Sequence, residues 1–219
     1  MNHALQIAAT PAHSGSPVDL LIAFFIVGLV PVLAVSTTSF TRIVVILSLL
    51  RTSLGPQSLP PNIVIVALAL MLTGAVMAPT FAEIRVQALE PYAAARISPA
   101  QALARGAEPL RRFMLRQARP TDIAAFARTA RARLSSPAQA PISVLAPAFL
   151  VGELRAAFAM GFALALPFVV IDIVVAAVLM SLGMFMVSPG ALSLPLKLLL
   201  FVVADGWTLV SGALVASYR

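Results

Sequence analysis

The 219-residue chain contains no cysteine, two histidines and one tryptophan, and only 11% of its side chains are charged. Without cysteine there is no disulfide framework and no thiolate metal site. Both histidines, His3 and His13, fall near the start of the chain, which leaves no His cluster for metal or acid–base chemistry farther on. A soluble globular domain carries roughly 25% charged residues, so too few polar side chains remain here to cover a water-facing surface. Charge is also missing locally, because residues 20–41, 52–82 and 173–196 contain no Asp, Glu, Lys or Arg. Apolar windows of about 20 residues are long enough to cross a hydrocarbon core as helix.

What is present is apolar, with 60% of the residues hydrophobic. Period-two alternation is absent and Ala, Leu and Met are abundant, which argues against strands. The chain therefore reads as an all-α, polytopic integral membrane protein of about four apolar helices with an amphipathic helical extramembrane insert. Residues 1–17 are small and polar, broken by Pro11, Gly15 and Pro17, and are expected to form a flexible N-terminus. No Lys or Arg precedes the apolar run at Val18, so the basic start of a secretory signal peptide is missing. A first helical hairpin, residues 18–82, is expected to have spans at about 18–40, bent near Pro31, and 62–82, the second opened by Leu59-Pro60-Pro61-Asn62. Prolines suit the first turn of a helix.

Residues 83–141 differ in kind. Between Ile84 and Pro141 ten arginines face three acids, an excess of seven that equals the net charge of the whole chain. The basic character thus belongs to one connecting segment, and no RNP, zinc or helix-turn-helix pattern accompanies it. Ser98-Pro99 and Thr121-Asp122 read as helix starts. Ile123, Phe126, Ala127, Ala130 and Leu134 recur at helical spacing, with Arg128, Arg131 and Arg133 off that stripe. Residues 142–219 form a second hairpin region, with apolar helices expected at about 143–166, 168–187 and 191–215 and a break at Pro167. The positive-inside rule holds best for short loops. Arg42, Arg51 and Lys197 in the short connections place the insert outside the cytoplasm, against the insert's own charge.

Few residues in the apolar helices could carry chemistry. Glu153, Asp172, Lys197 and Asp205 are costly there and normally pair or face water. They fit intrachain neutralising pairs, contacts between subunits, or an ion path. Ala157, Gly161 and Ala165 form a row of small residues that allows close helix approach. Met180, Met184 and Met186 cluster beside Gly183, just before the Ser188-Pro189-Gly190 break, where Met serves either as core filler or as a projecting loop. A protease active site finds no His in the apolar region and no G-x-G-D context at Asp172 or Asp205. A small-molecule or ion transporter with Glu153, Asp172 and Lys197 as its intramembrane site is the competing reading, although no internal repeat is evident.

Six collinear blocks go further. Thr38-Ser39-Phe40-Thr41-Arg42 with IVVILSLLR and LGPQSLPPN, then MAP at 77–79, EPLRRFMLRQ at 108–117, PAFLVGELRAAF at 147–158, PFVVIDIVVAAVLMSLGMFMVSP at 167–189 and LPLKLLLFVVADGW at 194–207 resemble the FliP/SctR family of the type III export apparatus. The PLRRFMLRQ block is the more flagellar in character. The resemblance implies a non-enzymatic subunit with no cofactor, located in the bacterial inner membrane at the base of a flagellum or injectisome. Members assemble as a pentamer-like homo-oligomer with FliQ/SctS-like and FliR/SctT-like membrane subunits into a channel for unfolded secreted proteins. It also implies that Glu153, Asp172 and Lys197 join neighbouring subunits, and that Met184, Phe185 and Met186 form the gasket closing the pore, with Phe185 where the family usually has Met.

Overall fold

The structure is a computed structural model that describes residues 17–55 and 60–218. Residues 1–16 of the expected flexible N-terminus, and residues 56–59 of the turn before the second span, lie outside the described residues. All regular elements among the described residues are helical, as the composition dictates. The chain divides into two compact units, residues 1–34 and 35–219. The first holds most of α1 (Pro17–Thr37), an apolar helix that continues through Pro31.

The second unit is organised around α2 (Phe40–Leu54), which the sequence reading placed in a connection between spans because Arg42 and Arg51 resemble loop charges. Ile43, Ile46, Leu47, Leu50 and Leu54 recur every three or four residues, and all are buried. This stripe packs chiefly against α7 (Ile142–Ser181) and also against α3 (Asn62–Ile84). Ala157 and Gly161 of α7 are buried facing α2, and a Cβ on Gly161 would stand 2.5 Å from Leu49 Cδ1. Ala157 and Gly161 of the small-residue row thus serve close packing within one chain.

α7 corrects the expected break at Pro167. The helices expected at about 143–166 and 168–187 are one helix of 40 residues that contains both Pro147 and Pro167. At 1.5 Å per residue it is roughly 60 Å long. A proline removes one ladder bond, which neighbouring helices and local adjustments compensate in membrane helices. The helix stops at Gly183, whose φ of +73° suits a residue without Cβ. The Met184 N–H donates to the Leu179 carbonyl (3.0 Å) and the Gly183 N–H to the Met180 carbonyl (3.1 Å), the paired bonds of a Schellman ending. The helix expected at 191–215 is instead two, α8 (Pro189–Val203) and α9 (Gly206–Ala216), bent by 63° at Ala204–Asp205. Asp205 takes the left-handed conformation (φ +47°), which Asp tolerates better than most residues.

The insert grows directly out of α3. The helix widens into a π turn over Arg85–Leu89 and continues as α4 (Glu90–Ala93), so it passes the expected end near Ala82. Pro91 has no N–H for the ordinary ladder bond, and the Glu90 N–H beside it reaches back five residues to the Arg85 carbonyl. α5 (Pro99–Gln117) starts at Ser98 with a reciprocal capping box to Gln101, which satisfies two N-terminal N–H groups. α6 (Pro120–Thr129) begins at Pro120, slightly before the expected Thr121. It buries Ile123 and Ala127, while Ala130 caps its end and Leu134 packs from beyond it.

Two apolar clusters result. One joins α2 and α3 to Ala157, Phe168, Phe201, Val210 and Leu214, and the other joins Met77, Phe113, Met114, Ile123 and Ala127 to Val144, Leu145 and Phe149. Tyr218 packs against both. Among the described residues two helices, Asn62–Ala93 and Ile142–Ser181, are long and apolar enough to cross a membrane, or up to four spans if each of two bent pairs counts as one. Toward its C-terminal end α7 exposes Phe162, Leu166, Val169, Val170, Ile173 and Val174, a surface fit for lipid or another chain. The α2–α7 approach predicts that Gly161→Val, which forces Leu49 aside, costs about 1 to 3 kcal/mol. The check is the thermal unfolding midpoint of the detergent-purified chain, where an unchanged midpoint contradicts the packing described.

Candidate functional site

The most deeply buried charge, Glu153, lies where α2, α5, α7 and the last residues described meet. Glu153 is 1% exposed and Arg42 6%. The Arg42 guanidinium donates through Nε to Glu153 Oε2 at 3.0 Å and through Nη2 to Oε1, a bidentate fork that a carboxylate's geometry matches. The Tyr218 hydroxyl donates to Glu153 Oε2. Arg42 Nη1 also donates to the Ser217 carbonyl and hydroxyl at 3.3 Å each. Its guanidinium carbon lies 4.0 Å from the centroid of the Tyr218 ring, on which Phe113 of α5 stacks with centroids 6.1 Å apart. Burial first, and then the nearby Glu153 carboxylate, push the Tyr218 phenol far above its ordinary range, so it remains a donor. An ion pair removed from water is stable only when its remaining valences are satisfied, and these neighbours supply that.

The second pair joins α7 to α8. Lys197 Nζ donates to Asp172 Oδ2 at 2.6 Å and to the Ser53 carbonyl at 3.0 Å, and the Ser193 hydroxyl donates to Asp172 Oδ1 at 2.6 Å. Here the burial is one-sided, since the Lys197 side chain is 8% exposed and that of Asp172 42%. A third pair, Arg155 with Asp122 at 2.9 Å, ties α7 to α6 of the insert.

The charges singled out from the sequence are therefore not one constellation. Glu153 pairs with Arg42, Asp172 pairs with Lys197, and each pair is closed within the chain. A transporter site that gathers Glu153, Asp172 and Lys197 is accordingly not supported. Glu153 has no free face to offer a neighbour, whereas Asp172 keeps one. Arg42, Tyr218 and Ser217 were missed. Arg42 resembled a loop charge, and no local pattern marks Tyr218, because its partners lie 65 residues or more away in sequence. Two of the three short-loop cations used to orient the insert, Arg42 and Lys197, are neutralised, which removes most of that charge argument.

Met184, Phe185 and Met186 fall on the turn between α7 and α8, and they are exposed by 43%, 79% and 99%. The Schellman ending directs the chain away from the helix axis. These side chains are not core filler of this chain.

The sequence model of the FliP family matches residues 23–214. The chain belongs to the FliP family. Among its relatives, the flagellar biosynthetic protein FliP of Pectobacterium carotovorum subsp. carotovorum is 49% identical over 189 residues, covering 86% of this chain and 73% of the relative. The flagellar biosynthetic protein FliP of Bacillus subtilis (strain 168) is 42% identical over 221 residues, covering 100% of both chains. That of Aquifex aeolicus (strain VF5) is 43% identical over 205 residues, covering 92% of this chain and 86% of the relative.

In this FliP-family chain the buried fork predicts an asymmetry in mutational cost. Arg42→Ala strands the Glu153 carboxylate and is expected to cost about 3 to 5 kcal/mol. Replacing both partners by Met is expected to recover most of that loss. Tyr218→Phe removes one hydrogen bond to a charged group, about 1.5 to 3 kcal/mol. Unfolding midpoints of the purified variants test the series, and a double variant no better than Arg42→Ala contradicts it.

Proposed function

We propose that this chain is a core subunit of the flagellar type III protein-export gate in the bacterial inner membrane. In this reading copies of the chain assemble with FliQ/SctS-like and FliR/SctT-like membrane subunits into the channel for unfolded secreted proteins. The observation that carries it is family membership over nearly the whole chain, with relatives named flagellar biosynthetic proteins. The chain's role is structural, and no cofactor is involved. The assembly is pentamer-like.

Within this reading the Asp172–Lys197 pair lies at a subunit boundary, because Asp172 keeps an open side while Lys197 is held. Glu153 acts one step earlier, by fixing the fold that presents the boundary. The insert, residues 84–141, lies in the periplasm. Long segments translocate largely regardless of charge, so the insert's own excess of arginine does not oppose this placement. A reporter fused at Ser135 that is active only in the cytoplasm is expected to stay silent, and activity there contradicts the periplasmic placement.

Met184, Phe185 and Met186 form the closing constriction. A gate for unfolded chains must seal against ions when idle and yield to side chains of every kind during transport. Hydrophobic constrictions block conduction by dewetting. Unbranched, polarizable methionines repack around varied surfaces, and Phe185 adds bulk with less flexibility. Their exposure on a turn at the end of a long rigid helix supports this use, since a core role would bury them. Deleting residues 184–186 is expected to leave the complex assembled and the membrane leaky to small ions. An assembled deletion complex that stays tight in a conductance measurement contradicts the gasket assignment.

A further inference from the structure

In the helical core outside the insert, residues 35–83 and 142–218, every charged side chain is in an ion pair except Arg51 and Asp205. The charges of this core without an ion pair are thus one cation and one anion; seven further arginines without an ion pair lie in the insert. Arg51 and Asp205 both sit on apolar surface. Asp205 lies at the exposed bend between α8 and α9, flanked by Val202 and Val203, each about three-quarters exposed, and by exposed Leu209. Arg51 stands one helical step from Ser48, which with Val44, Val45, Leu49, Thr52 and Phe158 lines an open apolar groove of about 300 Å³ on the α2–α7 face. Arg51 is not itself a lining residue but precedes Thr52 of the lining on α2, and the bend carries the negative charge of Asp205.

Resting on the multi-copy export-gate reading, we propose that this groove receives the α8–α9 bend of a second copy, with Arg51 of one copy paired to Asp205 of the next. The occupant is chosen by complementarity. An unpaired ionised group in an apolar setting is costly unless it meets an opposite charge or water, and the core of each copy, outside the insert, carries one of each sign. The contact is heterologous, since one patch meets a different patch on the neighbour, and such contacts close into rings when the rotation allows. In a closed ring every Arg51 meets one Asp205 and no charge of the core outside the insert is left over. The contact lies apart from Asp172 and Lys197, which already satisfy one another within the chain, and so it adds a second point of attachment per boundary.

The absence of cysteine makes the test direct. With Arg51→Cys and Asp205→Cys together in the full-length chain, oxidation in membranes of cells making the complete complex is expected to give a ladder of linked copies. Either substitution alone is expected to give none. In parallel, Arg51→Glu or Asp205→Arg alone is expected to lower the multi-copy species on native gels about tenfold or more, and the two together to restore it to within about twofold of wild type. A disulfide found only within single chains, or no ladder from a double-cysteine protein that does assemble, overturns the proposal and leaves the export-gate reading standing. Single variants that assemble like wild type overturn it as well. A wild-type chain that runs only as a single copy from the same membranes overturns the multi-copy reading itself, and this contact with it.

Discussion

The second unit depends on one interaction, the buried fork between Arg42 and Glu153. A chain this poor in charge cannot leave an ionised group in apolar surroundings without a partner, since the desolvation cost per ion is several kcal/mol. Neutralising Glu153 requires α2 to lie against α7 in one register, with Arg42 opposite the carboxylate. That register also sets Leu49 on Gly161 and brings the α2 leucines and isoleucines into the first apolar cluster. The Tyr218 hydroxyl and ring fill the remaining valence and face of the pair, so the end of the chain is held by the same contact. Through Phe113 stacked on Tyr218, the insert is tied to it as well.

Much of this was legible in the sequence, and the parts that were not share a cause. All-helical class, the apolar helix of α3 and the Ser98 start of α5 follow from local signals: composition, uninterrupted apolar runs and a capping residue. The helix boundary missed at Pro167 shows where a local rule fails. Proline ends helices in water, but in an apolar surrounding the helical backbone has nowhere else to satisfy its polar groups, and α7 runs on. α2 was missed because two arginines within fifteen residues resemble a loop. Nothing nearby reveals that Glu153, 111 residues later, neutralises one of them. The charges chosen as site residues were real features, yet their pairing is a property of the tertiary fold. The Met-Phe-Met turn was legible by resemblance, and its exposure could not be read from spacing alone.

From this base the geometry leads toward function. α7 is anchored over its N-terminal half by α2, α5 and α6, and over the rest it packs on α8 while leaving much of its apolar surface exposed. At its far end the Schellman turn presents Met184, Phe185 and Met186. α8 is fastened back to α7 by Lys197 and Asp172, and the bend at Asp205 folds α9 onto α3. The result is a helix held along one part and ending in an exposed apolar turn, the arrangement the proposed gate requires.

The central claim is that the fork couples the insert and the helical core into one unit. Hydrogen exchange on the full-length Glu153→Gln protein in detergent tests it most directly. The account predicts that amides of α2 (Phe40–Leu54) and of α5 (Pro99–Gln117) lose protection together relative to wild type, although α5 bears no mutation. Protection lost in α2 alone, with α5 unchanged, would contradict it.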